Sequence, residues 1–227
     1  MFVILIDGAS ASGKTTLSDI LKSHIVESLN RTCEVLRMDD YFKEAPEGCD
    51  PANYKATTNF ASLERRDLEL LANQILMLND GNAISQPEYS FVTCKRSMTN
   101  TLDAPEFLIV EGTFVLHFAN VMPNFKDVFS TQLSHMSIFV SQSDYEETLK
   151  RRITRNVAER GQSEEVVRRL EEKYLRPAFL NVMLPSAQTA DKQIINDNRQ
   201  DLKYSIDAIM EVLSDKSGVQ QRHGMTA

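Results

Sequence analysis

The chain has few of the features that mark a disulfide-stapled, metal-bound or membrane-held protein. Its three cysteines, Cys33, Cys49 and Cys94, are odd in number, widely spaced and without a CxxC pair. That pattern argues against a disulfide framework or a zinc site and predicts reduced thiols in a cytoplasmic protein. The four histidines, His24, His117, His135 and His223, share no ligand spacing. Positive charge is also short, with 25 Lys and Arg against 32 Asp and Glu, a formal net charge of −7. Nucleic acids and membrane surfaces are usually held by a basic excess, so neither is expected as a partner. No apolar run is long enough to cross a bilayer, and the FVILI stretch has no basic leader before it. Internal repeats and low-complexity tracts are absent as well.

What the chain does have is 42% hydrophobic residues over 227 positions, enough to bury one full core. Phe2 to Ile6 is a short apolar run of the kind found in buried parallel strands, and Gly8 to Gly13 breaks it. From Lys14, apolar residues at Leu17, Ile20, Leu21, Ile25 and Leu29 recur at helical spacing, and Glu34 to Met38 is the next strand. The polar stretch from Lys43 to Asn59 predicts a long surface loop, and Leu63 to Leu78 a helix stopped at Asn79–Asp80–Gly81. Ala83 to Thr101 suggests a β-hairpin insertion. Further strands are expected at Phe107 to Val110, Met136 to Val140 and Lys192 to Ile195. Charged helices are expected at Tyr145 to Arg160 and Glu164 to Tyr174, with a closing helix at Leu202 to Leu213. A single α/β domain over 1–213 with a polar tail over 214–227 is the resulting organisation.

Residues 8 to 15, GASASGKT, match G-x-x-x-x-G-K-[ST] in full, with a strand before and a helix after. Such a P-loop points successive backbone N–H groups and a helix N-terminus at phosphate oxygens. Gly8, Ala9, Ser10, Ala11, Ser12, Gly13, Lys14, Thr15 and Thr16 are therefore the candidate nucleotide cradle. Lys14 is expected to reach the β- and γ-phosphates of ATP, and the Thr15 hydroxyl to bind Mg²⁺. Ligands of open α/β sheets lie at the carboxyl ends of the strands, where Asp39 and Glu111 fall. Asp39 is the candidate to deprotonate or orient an attacking hydroxyl, and Glu111 to hold Mg²⁺ through water. Asp40 is expected to be a solvated turn carboxylate. Arg151, Arg152, Arg155 and Arg160 crowd about three helical turns ending at Gly161, and such a basic run can be either a solvated face or a phosphate lid. Arg152 and Arg155 share a face and can converge on one ligand.

The motifs GASASGKTT, MDDYFK, NFASLERRDLELL, PEYSFVTCKRS, IVEGTFVL, RRITRNVAERG and YLRPAFLNVMLPSAQTADKQI, in that order, resemble the uridine kinase family of the phosphoribulokinase and uridine kinase group. The resemblance runs from Ile4 to about Asn198. It implies the three-layer P-loop NTPase fold, a five-stranded parallel sheet flanked by helices, with a hairpin over about 83–101 and an arginine-bearing lid over about 145–162. It also implies ATP and Mg²⁺ as cofactors and a small-molecule hydroxyl as acceptor, with uridine or cytidine leading, and it leaves homo-oligomerisation open. By resemblance Asp39 is the catalytic base, Lys14, Arg152 and Arg155 serve catalysis, and Arg160 serves the nucleotide. Phe42, Tyr89, Phe91 and Arg96 are then substrate-side positions. Tyr89 and Phe91 also suit ordinary hairpin packing.

Three departures fall on the acceptor side. The family's N-[FY]-D-x-P supplies a carboxylate for ribose, where this chain has Ala61. The family's hairpin histidine is replaced by Cys94, a poor hydrogen-bonding substitute. The lid's E-R-G-R reads Glu159, Arg160, Gly161, Gln162. These losses should weaken uridine recognition. Pantothenate, nicotinamide riboside or a sugar phosphate thus stand as alternative acceptors, and an ATP-binding regulator as an alternative of another class.

Overall fold

Seven consecutive residues of the first strand, β1 (Phe2–Gly8), are buried, as expected of a strand covered on both faces. Its side chains alternate between two cores. Val3 and Leu5 join one cluster, Ile4 and Ile6 the other. The computed structural model describes residues 1–121, 125, 126, 129 and 133–216. β2 (Cys33–Arg37), β5 (Phe107–Glu111), β6 (His135–Ser141) and β7 (Lys192–Ile195) complete a five-stranded sheet in the order β2-β5-β1-β6-β7, every pairing parallel. The central place of β1 matters, because the loop that follows it emerges in the middle of the carboxyl edge.

On one face α1 (Lys14–Leu29) and α7 (Arg199–Lys216) bury Leu17, Leu21, Ile25, Ile206 and Ile209 against the sheet. On the other lie α3 (Leu68–Asn79), α4 (Val115–Val121) and part of a helical run that begins at α6 (Glu164–Leu170). Each fully buried aliphatic side chain contributes about 1.5–3 kcal/mol, so these two clusters hold the three layers together. Among the described residues no helix is long and apolar enough to cross a membrane.

Several boundaries differ from the sequence reading for identifiable reasons. The helix expected from Leu63 starts at Leu68, because Asp67 caps it by accepting from the Leu70 N–H, and Leu63–Arg65 forms a 3₁₀ turn instead. The expected loop over 43–59 contains α2 (Pro51–Thr57), started by Asp50, which accepts from the Asn53 N–H, and by Pro51 at its first turn. The hairpin comprises β3 (Ile84–Ser90) and β4 (Lys95–Leu102), with a register shift at Gln86/Pro87, where proline has no N–H to give. α5 (Tyr145–Arg160) ends at Gly161 in the left-handed conformation. Beyond α6 the chain continues through two π-helical turns, Glu171–Leu175 and Phe179–Met183. The closing helix runs to Lys216, past the expected start of the tail at Ser214, whose hydroxyl donates to Met210 O at 2.8 Å. The remaining tail, 217–227, lies outside the described residues.

Candidate active site

The loop between β1 and α1 is shaped by what surrounds it. Gly8 (φ 148°) and Gly13 (φ 104°) both have backbone angles suited to glycine, and a Cβ would collide with Val140 O at the first and with the Asn196 amide at the second. Two of its carbonyl oxygens are tied to side chains of other elements. Ser12 O accepts from Gln142 Nε2 (2.8 Å) and Asn196 Nδ2 (2.7 Å), and Ser10 O accepts from Arg152 Nε (3.2 Å) and Nη2 (3.1 Å). With its carbonyls held this way, the loop is free to turn N–H groups toward an anion, which is the property of a phosphate nest. Lys14 is nearly buried, and its Nζ donates to Ala9 O at 2.9 Å. Burial lowers its pKa, against the opposing pull of Glu111, Asp39 and Asp7.

Strand ends supply the acids. Thr15 Oγ1 donates to Glu111 Oε1 at 2.9 Å, joining the first turn of α1 to the end of β5. Burial raises the Glu111 pKa, with Lys14 acting against it. Asp39 follows β2 on the 3₁₀ turn Met38–Tyr41 and pairs with Arg66 Nη2 at 3.1 Å. Burial works to raise its pKa, but Arg66, Arg160 and Lys14 overcome that and hold it below the ordinary carboxylate range. Asp40 is not the solvated turn acid expected. It is half-buried and accepts from the Tyr89 N–H at 3.2 Å, docking the hairpin, and burial pushes its pKa up to about 6.

Two chambers meet at Asp39. The first, of about 500 Å³, is lined by Ser10, Ala11 and Gly13 to Thr16 of the loop together with Glu111, Arg151, Arg155 and Arg160. The second, a narrower cavity of about 80 Å³, is lined by Phe42, Phe60, Phe91, Ala61, Lys55 and Arg66. Asp39, Ser10, Phe91, Thr113 and Arg160 border both. The aromatic wall is a packed cluster, with ring centroids of Phe42 at 5.1 Å from Phe60 and 5.8 Å from Phe91.

The arginines divide into distinct settings. Arg155 Nη2 donates to Ser10 Oγ at 2.9 Å, and its pKa is lowered to about 10 by burial first and then by Arg160. The Arg160 guanidinium sits 3.7 Å over the Phe91 ring and faces both chambers. Arg151 is turned to the backbone oxygens of Asn196 (3.0 Å) and Asp197 (2.7 Å). Arg152 is buried in an ion pair with the equally buried Glu171, so it braces the loop rather than standing as a free charge.

Of the substrate-side positions, Phe42 and Phe91 line the second chamber. Tyr89 is buried behind that wall, 5.5 Å from the Phe42 ring and 5.2 Å from the Phe91 ring. Arg96 turns away to Asp67 Oδ2, at 3.2 Å through both terminal nitrogens. Cys94 is fully buried with φ 55° in the hairpin turn, and so does not stand in for a ligand-facing imidazole.

Four residues were missed by sequence reasoning. Asp7 is fully buried at the end of β1, where it accepts from the N–H groups of Gly8 (2.5 Å), Phe114 (3.0 Å) and Leu116 (2.9 Å). Gln142 and Asn196 follow β6 and β7, and Arg66 holds Asp39. The strand-end rule could have found the first three, since each is polar and stands at a carboxyl edge. Arg66 gave no such signal.

A phosphate nest, strand-end acids and an arginine-bearing helix on a parallel five-stranded sheet define a P-loop kinase, a phosphotransferase acting on a hydroxyl. The model of the Phosphoribulokinase / Uridine kinase family matches residues 3–203, and the chain belongs to that family. It is 32% identical over 191 residues to "Uridine kinase" of Pectobacterium atrosepticum, covering 83% of this chain and 84% of that protein. It is 30% identical over 191 residues to "Uridine-cytidine kinase A" of Dictyostelium discoideum, where it covers 83% of this chain but only 35% of the longer relative. In fold it is similar to D-glycerate 3-kinase from Cryptococcus neoformans, with a TM-score of 0.58 at 14% identity over 86% of this chain and 85% of that one.

Proposed function

We propose that the protein transfers the γ-phosphate of ATP to the hydroxyl of a small molecule, with Asp39 as general base. The observation that carries this is the position of Asp39, the carboxylate shared by the phosphate-loop chamber and the aromatic chamber. The triphosphate lies along residues 8–16, with Lys14, Arg155 and Arg160 over its γ end. The hydroxyl oxygen attacks the γ-phosphorus, its proton passes to Asp39, and the bond to the β–γ bridging oxygen breaks, releasing ADP. Asp39 is suited to this because its ion pair keeps it ionised at neutral pH.

The Thr15 hydroxyl and the Glu111 carboxylate, 2.9 Å apart beside the loop, are a hard-oxygen donor pair of the kind Mg²⁺ takes alongside phosphate oxygens. Among the described residues no cluster of three or more His, Cys, Asp or Glu forms a cage, which fits an ion shared with its nucleotide. When bound, that ion neutralises charge building on the phosphates.

Uridine and cytidine, which the relatives' names carry, head the acceptor panel. The test is ADP release with ATP and Mg²⁺ against a panel of hydroxyl compounds. Stimulation by at least one member is expected. None with any member, while ATP still binds, would overturn the reading.

A further inference from the structure

The aromatic chamber offers few side chains that accept hydrogen bonds: besides Asp39 and two amides there are the hydroxyls of Thr113 and of Ser10, the latter accepting from Arg155. Asp39 is the one carboxylate among its described lining residues, and it is engaged by Arg66. The amide oxygens nearby are also taken. Gln162 Oε1 accepts from Asn156 Nδ2 at 2.8 Å, and Asn156 Oδ1 accepts from Arg155. Ala61 adds no polar side chain to the same wall.

Donors and positive charge are plentiful by contrast. Lys55, Arg66, Arg152 and Arg160 line the chamber, and only Arg152 has its own buried counter-ion, Glu171. Setting Asp39 against the remaining three leaves two positive charges. One belongs to Arg160, which also faces the phosphate-loop chamber. The other is in effect Lys55. It is half-buried on α2, its Nζ donates to the Arg160 backbone oxygen at 3.1 Å, and no carboxylate among the described residues pairs with it. Arg66 also lines the chamber, but its guanidinium is already held by Asp39 and by the Phe60 and Ser62 backbone oxygens. A half-buried ammonium that faces a chamber and has no carboxylate partner is a ready counter-charge for a bound anion.

We infer that the acceptor is an anionic hydroxyl compound, bearing a carboxylate or a phosphate received at Lys55, with an apolar or flat body against Phe42, Phe60 and Phe91. This rests on the kinase reading and narrows it, since neutral nucleosides become poor acceptors. A charge-assisted bond to an acid group is among the stronger contacts such a wall can make. Its loss in a neutral analogue leaves the same cation unpaired, so discrimination should be large.

Matched pairs test this on the full-length protein: pantothenate against panthenol, D-glycerate against glycerol, ribulose 5-phosphate against ribulose, with uridine as neutral reference. Phosphorylation is followed by ADP release. Binding is followed separately by thermal shift with a non-hydrolysable ATP analogue present. The acid member of at least one pair should show a KM tenfold or more below its neutral partner, and the pair that responds tells carboxylate from phosphate. Lys55→Gln should raise that KM about tenfold with little change in kcat or ATP affinity, and Lys55→Arg should restore most of it. Preference for the neutral members or for uridine, or a Lys55→Gln effect equal on acid and neutral partners, would overturn the inference while leaving the kinase reading standing. Acid members that bind in a Lys55-dependent way, with no member of the panel phosphorylated, would uphold the charge match and sink the kinase reading. No binding and no phosphorylation with any acid, and none with uridine or the neutral partners either, would overturn both.

Discussion

Asp39 sits under opposed influences, with burial raising its pKa and Arg66, Arg160 and Lys14 lowering it further than burial can compensate. A carboxylate held below its ordinary value is ionised through the neutral range, so kcat/KM should be flat there and fall only as the pH drops through that lowered value. Arg66→Gln removes the cation paired directly with Asp39 while burial remains, so the acid limb should move upward, as a pH profile would show. Asp39→Asn should lower kcat about 10²–10⁴-fold with ATP affinity kept, whereas Lys14→Ala should weaken ATP binding itself. Activity in the cell that survives Asp39→Asn but not Lys14→Ala would instead favour an ATP-binding regulator.

Asp7 responds to pH in the opposite sense. Burial pushes it up to about 6 despite three backbone donors, so between about pH 4 and 6 the unfolded chain gives up its proton before the folded one does. Stability therefore falls as pH rises through that window, by roughly 3 kcal/mol, and levels off above it. Urea midpoints at pH 4 and pH 7 check this, with Asp7→Asn expected to lose that contribution to the slope. At this scale the sequence was legible wherever a motif or a strand end fixed the residue, as for Lys14, Thr15, Asp39 and Glu111. It was illegible for Arg66, which reaches Asp39 across 27 positions, because that contact depends on how the segment before α3 folds back.

Among the elements, α2 and the start of α3 show how a cap outweighs periodicity. The Leu63–Leu78 pattern read as one helix, yet Asp67 accepts from the Leu70 N–H and sets the first turn there. The same carboxylate takes Arg96 from β4, so one residue both starts α3 and pins the hairpin. Asp67→Ala should cost about 1–2 kcal/mol in chemical denaturation, the upper end of a lost cap. Arg96→Ala should behave alike, lowering stability slightly and leaving the acceptor's kcat unchanged. A large kcat loss on Arg96→Ala with unaltered stability would restore it to the substrate side. β1, β5 and β6 were legible because buried parallel strands are continuous apolar runs, and the hairpin because its residue types alternate without helical spacing. α2 was hidden because its polar surface resembles a loop, although Asp50–Pro51 carried the capping signal.

For the whole molecule, what couples the helical run after α5 to the phosphate loop is the Arg152–Glu171 pair. Both side chains are nearly inaccessible to solvent, and Arg152 spends its other nitrogens on Ser10 O. Glu171 also accepts from the Tyr145 hydroxyl at 2.7 Å, so α5 and the first π-helical turn share one buried polar node. Breaking one partner of such a pair leaves an uncompensated buried charge and costs about 3–5 kcal/mol, whereas replacing both by apolar groups can be nearly neutral. Glu171→Gln alone should therefore destabilise by that order. A double variant, Arg152→Met with Glu171→Met, should recover much of the loss in a urea melt. Activity should not return with it, because the double variant still lacks the guanidinium that holds the Ser10 carbonyl. Affinity for ATP, measured by titration at a temperature where both variants are folded, should stay reduced in the double variant. Recovery of stability and ATP affinity together would mean that the pair serves only the core, and that the loop keeps its shape without it.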